Sequence, residues 1–547
     1  MPRPPEELAS PEVPPEDLAS PEAPPERRAP PEATPEPRAD RPAPLPAHVD
    51  TVIVGSGFSG LAMAVALERS GRHHFLVLER ARGLGGTWRE NSYPGCACDV
   101  PSHLYSFSFA PNPDWTSTFS PQPELQAYLR RVAEEHGITP RIRFGCELER
   151  ARWDEAAQLW RLETSLGALT ARVLITAAGP LSEPAIPDIP GLSRFEGTIF
   201  HSATWDHEHD LSGERVAVIG TGASAIQFVP RIQPEVSELH LFQRTPPWIM
   251  PRPDRTLTRF ERGLYRRLPA AQRTMRAMLY WGRELFVIPF LHVRLAPVIG
   301  FLGRRHLRRQ VPDPALRAML TPSYAPGCKR ILVSNDYLPA LTKANVKVVT
   351  EGIGEIGPRS IIAGDGSERA VDTIILATGF HVTDAPIAER VYGRDGRTLT
   401  EHWDGSLYAH RGTTVTGFPN LFLMLGPNTG LGHTSVVLMA EAQVRYIMGA
   451  LEYMEAAGIG ALEPRLEAQS AWNDEVQRRM RGTVWMAGGC QSWYLDSKGL
   501  NTTLWPGSTF RFRRLLSHFD PAEYRLGPVP PPRTNEPSPT KTAPVPA

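Results

Sequence analysis

The sequence has no surplus of charge: lysine and arginine total 59, aspartate and glutamate total 59, in a chain of 547 residues. A neutral chain carries no field that would recruit nucleic acid or a strongly acidic partner. Cysteine is scarce. The five cysteines, Cys96, Cys98, Cys146, Cys328 and Cys490, form neither an even disulfide framework nor a CxxC pair suited to zinc or dithiol chemistry. A reducing, cytoplasmic setting is therefore expected. No apolar stretch followed by a cleavage site opens the chain, so no secretory leader is expected. An uninterrupted membrane span is lacking too, because Arg283, Glu284, Pro289, His292 and Arg294 break the apolar stretch around LFVIPFLHV. What is present is a chain long enough for two or three packed domains, with an ordinary apolar fraction of 41%.

Proline is unevenly spread. Residues 1–48 hold 16 prolines and a ten-residue repeat, PPEELASPEV followed by PPEDLASPEA. Such a segment cannot pack a core and is expected to be a disordered, partly polyproline tail. Residues 526–547, ending TKTAPVPA, are expected to behave alike. Between the tails, β-branched runs alternate with amphipathic stretches, the pattern of an α/β protein with parallel sheets. Four runs end at glycine: TVIVG at Gly55, VLITAAG at Gly179, VAVIG at Gly220 and TIILATG at Gly379. The first and third lead into glycine-rich turns. Two Rossmann-like domains are expected, a discontinuous one over 49–182 and 375–525 and an inserted one over 183–374. Within the second, residues 255–325 should form a helical insert. Its stretch 255–309 holds 13 arginines against two acids, Glu261 and Glu284, so contact with an anionic membrane surface is the less favoured alternative to simple packing.

The turn Gly55-Ser56-Gly57-Phe58-Ser59-Gly60 follows a predicted strand and opens a predicted helix. Gly55 permits the tight turn, Gly57 admits a pyrophosphate to the backbone, and Gly60 lets helix pack on strand. The helix N-terminus supplies amide donors to the phosphates. Nineteen residues beyond Gly60, the run FLVLE ends at Glu79, placed for ribose hydroxyls and favouring an unphosphorylated ribose, as in FAD or NAD. The second turn is Gly220-Thr221-Gly222-Ala223-Ser224-Ala225, and nineteen residues past Ala225 stands Arg244, which suits a 2'-phosphate and hence NADPH. Two nucleotides on one chain imply hydride passage from NADPH to FAD. Disulfide reductases need a redox cysteine pair, and Cys96 and Cys98 are too closely spaced for that role, so oxygen is the expected acceptor.

The stretch Phe195-Glu196-Gly197-Thr198-Ile199-Phe200-His201-Ser202-Ala203-Thr204-Trp205-Asp206 resembles the FxGxxxHxxxW[P/D] fingerprint of type I Baeyer-Villiger monooxygenases. GGTWRENSYPGCACD, from Gly85 to Asp99, is similar to a second pattern of that family. The resemblance covers residues 49–525. It implies conversion of a ketone to an ester or lactone with O2, by way of a C4a-peroxyflavin. It further implies that Arg330 is catalytic beside the flavin, that Asp99 orients it, and that Lys329 joins Arg244 and Thr245 on the 2'-phosphate. Trp493 would contact the nicotinamide ribose and close the site. Further cofactor contacts are implied for Ser59, Thr87, Trp88, Val100, Tyr105, Thr221, Gly222, Ala223, Ser224 and Gln227. His201 is expected near the interdomain linker rather than among the catalytic groups. Oxidation of sulfur or nitrogen is the nearest alternative, and a non-catalytic nucleotide-binding redox sensor a more distant one. The substrate ketone and the oligomeric state stay open.

Overall fold

The computed structural model describes residues 44–528. The proline-rich segment before residue 44 and the chain after residue 528 lie outside the described residues.

The first element of the described residues is β1 (His48–Val54), buried continuously from Thr51 through Val54, as a strand covered on both faces must be. It leads through the first glycine turn into α1 (Phe58–Arg69), which is apolar nearly all round and correspondingly buried. β2 (Phe75–Glu79) and β3 (Ile142–Phe144) continue the sheet in parallel on one side of β1. On the other side lies β6 (Gly167–Thr176), parallel to β1. It closes an antiparallel meander with β4 (Leu148–Asp154) and β5 (Leu159–Thr164).

After β6 the chain leaves this sheet and builds a second. β7 (Thr198–His201), β8 (Arg215–Ile219), β9 (Glu238–Phe242), β10 (Val346–Val349) and β11 (Thr373–Leu376) pair in the order β10-β9-β8-β11-β7, every pairing parallel. The second glycine turn joins β8 to α2 (Ala225–Ile232). Past β11 the chain returns to the first sheet, where β12 (Leu421–Leu423) pairs with β6. The four glycine-ended runs are thus β1, β6, β8 and β11, the strands at the centre of the two sheets.

Between β9 and β10 lies the expected helical insert. Its longest elements are α3 (Pro269–Glu284) and α4 (Ala296–Gln310), with shorter helices at Arg259–Arg267, Val287–Leu291 and Pro314–Met319. Thr258 and Glu261 form a reciprocal capping box at the first of them, satisfying two amides that would otherwise lack partners. The final strand, Tyr524–Pro528, reaches slightly past the expected boundary at 526 by pairing with Ile459–Pro464.

Candidate active site

The first glycine turn is built for close contact. Gly55 has φ +104°, and a Cβ there would lie 2.5 Å from the Ala177 carbonyl oxygen. At Gly60 a Cβ would fall 1.9 Å from the Gly55 oxygen, so only glycine lets α1 sit on the strand end. Gly57 differs: the nearest atom to its Cβ would be Gly86 Cα at 3.6 Å. The protein has room for a side chain at Gly57, and that room lies over the N-terminus of α1, where a pyrophosphate would fit against the free amides. Ser59 is buried in the first turn of α1. Glu79 accepts from the Ser56 amide at 2.9 Å, the Ser56 hydroxyl at 2.6 Å and the Ala81 amide at 2.9 Å. Its carboxylate therefore locks the turn while keeping part of its acceptor capacity for a ribose.

The second turn repeats the layout with looser packing. Gly220 has φ +112°, with a Cβ position 2.4 Å from the Ala377 oxygen, whereas Gly222 faces open space. The third position is Ala225, buried without difficulty, preceded by exposed Ala223 and half-buried Ser224. Thr221 donates from its hydroxyl to the Thr245 carbonyl at 3.3 Å, bracing the turn against the end of β9. Arg244 is exposed and stands near Lys329, whose pKa is lowered by burial and then by the Arg244 charge. Among the described residues neither cation has a carboxylate partner. Two like charges within each other's field and without a carboxylate partner, Lys329 also lying 5.4 Å from the Tyr324 ring, repel each other in a way that an anion would relieve. Gln227 accepts from Tyr93 and the Ala97 amide at 3.1 Å each, and its side-chain nitrogen donates to the Ala97 carbonyl at 2.9 Å. Its amide thereby ties α2 to the segment leading to Asp99.

Between the two turns sits a fork. Arg330 donates from Nε to Asp99 Oδ2 at 2.8 Å and from Nη2 to Oδ1 at 2.7 Å. Burial acts most strongly, to raise the Asp99 pKa, but the Arg330 charge, its hydrogen bonds and the Arg283 charge together outweigh it and hold the carboxyl below its ordinary value. Asp99 in turn pushes the Arg330 pKa up, so the guanidinium stays charged. With Nε and Nη2 turned to Asp99, the Nη1 edge remains for another acceptor. The other residues expected to touch a cofactor hold partners within the protein. Trp88 donates from Nε1 to the Tyr105 hydroxyl at 3.2 Å, and the Tyr105 ring meets Phe58 at 4.9 Å. The Thr87 carbonyl accepts from Asn91 Nδ2 at 3.0 Å, and the Val100 amide donates to Cys98 Sγ at 3.4 Å.

Two neighbours of the fork were not anticipated. Arg283, at the end of α3, lies within the field of Asp99 and Arg330, its pKa lowered first by burial. Tyr494 is buried beside Arg330, and burial pushes its pKa up to about 12, keeping its hydroxyl protonated. The only sequence signals for these residues were an arginine interrupting an apolar run and a tyrosine adjoining Trp493. Trp493 itself is 47% exposed and packs on Tyr494 at 4.3 Å.

One expectation is corrected. Cys328 and Cys490 form a disulfide, although 162 positions separate them. No local pattern marks such a pair, because only the fold brings the residues before Arg330 against those before Trp493. Cys96, Cys98 and Cys146 are free and buried. Burial pushes the Cys96 thiol up to about 12 and raises Cys98 further, so neither is a ready thiolate for disulfide exchange. His201 is 3% exposed, accepts at Nδ1 from the Ala203 amide at 3.1 Å, and is lowered by burial to about 4. It packs against Phe380, just past β11, where the chain turns back toward the first sheet.

Residues 52–258 match the family model described as pyridine nucleotide-disulphide oxidoreductase. A Baeyer-Villiger monooxygenase of Streptomyces coelicolor is 54% identical over 481 residues, covering 88% of this chain and 93% of that protein. Cyclohexanone monooxygenase from Rhodococcus sp. Phi1, solved bound to NADP+, shares the fold with a TM-score of 0.79 at 27% identity, covering 88% of this chain and all 100% of that one. OTEMO, solved in complex with FAD and NADP, gives a TM-score of 0.78 at 25% identity, covering 89% of this chain and 100% of that chain.

Proposed function

This chain belongs to the Baeyer-Villiger monooxygenases, and from that premise we propose how its residues divide the oxidation of a ketone. The enzyme uses FAD and NADPH to convert a ketone to an ester or lactone. One oxygen atom of O2 enters the product, the other leaves as water, and NADPH is oxidised to NADP+. Bound FAD would supply the hydride acceptor for NADPH and the means of activating O2, chemistry that the side chains alone lack.

Gly57 and the amides at the head of α1 hold the flavin pyrophosphate, with Glu79 toward the ribose. Arg244 and Lys329 hold the 2'-phosphate of NADPH by charge-assisted bonds, with Thr245 beside them. Arg330 offers its free edge to the negative charge that builds as oxygen adds to the ketone, and Asp99 keeps that edge aimed. Tyr494, protonated, is a further donor beside it, and Arg283 adds positive charge. Excluding water from this half-buried cluster strengthens each of these interactions.

The observation that carries this reading is the two-point bond between Asp99 and Arg330, which leaves one face of the guanidinium available. Replacing Arg330 tests it. Arg330→Ala should still allow anaerobic flavin reduction by NADPH, while ester formation falls by roughly 10²-fold or more, the scale of losing an electrostatic stabiliser. Arg330→Lys should recover little, since a point charge cannot keep both the fork to Asp99 and a free edge. Ester formation at the wild-type rate in Arg330→Ala would remove the residue from the chemistry.

A further inference from the structure

The helical insert carries an outer surface that neither nucleotide site uses. Of the 21 exposed large apolar side chains among the described residues, 12 fall between Phe260 and Leu302. On α3, α4 and the turn between them they include Trp281 (55% exposed), Leu285 (67%), Phe286 (54%), Val298 (69%) and Phe301 (59%). Scattered exposed apolar residues need no explanation, but a concentration of this size on one subdomain marks a contact surface.

The charge around it is one-sided. Residues 255–309 hold 13 arginines and no lysine, against Glu261 and Glu284. Of the arginines, Arg266 pairs with Asp114, Arg276 donates to the His103 carbonyl and Arg283 is turned toward Asp99, so these three do not count toward the surface. Both acids are engaged: Glu261 binds Arg255 and caps its helix, and Glu284 is buried against His433 and the Phe510 amide. Arg294, just before α4, and Arg305, Arg308 and Arg309 along it are exposed, with no carboxylate partner among the described residues. We propose that this surface seats the enzyme on an anionic lipid bilayer, the apolar side chains entering the headgroup boundary and the arginines pairing with lipid phosphates. Apolar insertion and basic attraction are the two signals that together give stable peripheral attachment.

The shape suits lying on a membrane. No single helix among the described residues is long and apolar enough to cross one, and the paths Pro269–Leu291 and Val293–Gln310 bend by 108° relative to each other. The opposite faces are occupied by the protein: Phe290, Ala296 and Ile299 pack with Trp248 and Trp485. A second copy of the chain fits the surface poorly, because a two-fold contact would set one arginine-rich face against its equal.

The surface also adjoins the active site. The last turn of α3 directs Arg283 toward Asp99 and Arg330, while Trp281 and Leu285 face outward. Trp281 meets exposed Phe510 at 6.0 Å. If the ketone reading above holds, the substrate class is an apolar ketone that partitions into lipid and reaches the site past α3; attachment itself does not rest on that reading.

Sedimentation of the full-length holoenzyme with vesicles tests the proposal. Vesicles of phosphatidylcholine mixed with phosphatidylglycerol should carry the protein down, and phosphatidylcholine alone should carry much less. The double substitution Val298→Glu and Phe301→Glu should weaken binding by roughly tenfold or more. A second pair, Arg308→Glu with Arg309→Glu, should abolish the preference for anionic vesicles, as should high salt. Both pairs lie on the exposed face of α4 and should retain flavin and turnover of a water-soluble ketone. Wild-type protein left in the supernatant with mixed vesicles overturns the proposal. So does undiminished sedimentation of the apolar pair, or a lipid-free dimer that this pair dissolves, which would assign the face to a second copy. Vesicle binding without ester from any ketone would instead reject the ketone reading and leave the attachment standing.

Discussion

The two glycine turns share strand, turn and helix but are finished to different degrees. In the first, Gly60 presses on the Gly55 carbonyl and the buried Glu79 accepts three hydrogen bonds from its own surroundings. In the second, alanine occupies the third position, Gly222 faces open space, and Arg244 and Lys329 stand unpaired near each other. The first is a closed cradle whose geometry is set before any ligand arrives, suited to a cofactor that stays. The second waits for an anion to relieve its own repulsion, suited to one that exchanges. Preorganisation favours tight retention, and unrelieved charge favours capture of a phosphate in solution.

The largest test of this contrast is at Gly60. A Cβ placed 1.9 Å from a backbone oxygen cannot be absorbed by a side-chain rotation, so Gly60→Ala should displace α1 and abolish both folded yield and flavin binding. Gly57→Ala should behave differently, because no protein atom lies closer than 3.6 Å to the new methyl. That variant should fold normally and lose flavin alone, read as absorbance per mole of protein beside an unchanged melting temperature. Equal flavin content in Gly57→Ala and wild type would reject the cradle.

A smaller effect belongs to the open site. Arg244→Ala removes one charge-assisted bond, worth roughly 1.5–3 kcal/mol, so the Michaelis constant for NADPH should rise about tenfold to a hundredfold. NADH should be little affected, and flavin content unchanged. An equal loss with both nucleotides would show that Arg244 does not read the phosphate.

The legibility of these regions in the sequence follows the distance over which each is encoded. Each turn, with its own strand, helix and answering residue (Glu79 for the first, Arg244 for the second), lies within a few dozen positions, so spacing alone revealed it. The Asp99 and Arg330 fork joins residues 231 positions apart and was reachable only through family resemblance. Arg283, Tyr494 and the Cys328–Cys490 bond escaped, since none belongs to a periodic pattern and each gains its meaning from a tertiary contact. Gln227 shows the converse. The resemblance implied a cofactor contact for it, and only the fold shows that its amide also ties the helix after the second turn to Tyr93 and Ala97. The insert's composition was plain, but its outward apolar face needed the fold to show which side chains point away.

A lesser effect is expected at the disulfide, which ties the Arg330 segment to the Trp493 segment on the open side. Cys490→Ser should leave the flavin cradle untouched and raise the NADPH Michaelis constant a few-fold, because the loop bearing half-exposed Trp493 loses its tie. Denatured, unreduced wild-type protein should titrate as three thiols, Cys96, Cys98 and Cys146, and as five after reduction. Five thiols without reduction would mean that this side is held by packing alone.

The smallest expected effect lies at the junction of the two regions, where His201 caps a short turn beside Phe380. Burial lowers its pKa to about 4, whereas in the unfolded chain it should titrate near the usual value of about 6.5. Between those values the unfolded state binds the extra proton, so stability from this residue is full above about pH 6.5 and is lost as pH falls toward 4. His103, likewise lowered to about 4 by burial and by Arg276, acts in the same direction. His201→Asn keeps an acceptor for the Ala203 amide but cannot take up the proton. At pH 7.5 its melting temperature should lie close to wild type, and on acidification to pH 5 it should fall less steeply, by the share that His201 contributed. Melting curves in matched buffers would measure both slopes. Identical slopes would mean that His201 charges freely in the folded protein and that water reaches the junction, which would undo the picture of a closed cradle joined through a dry seam to an open site.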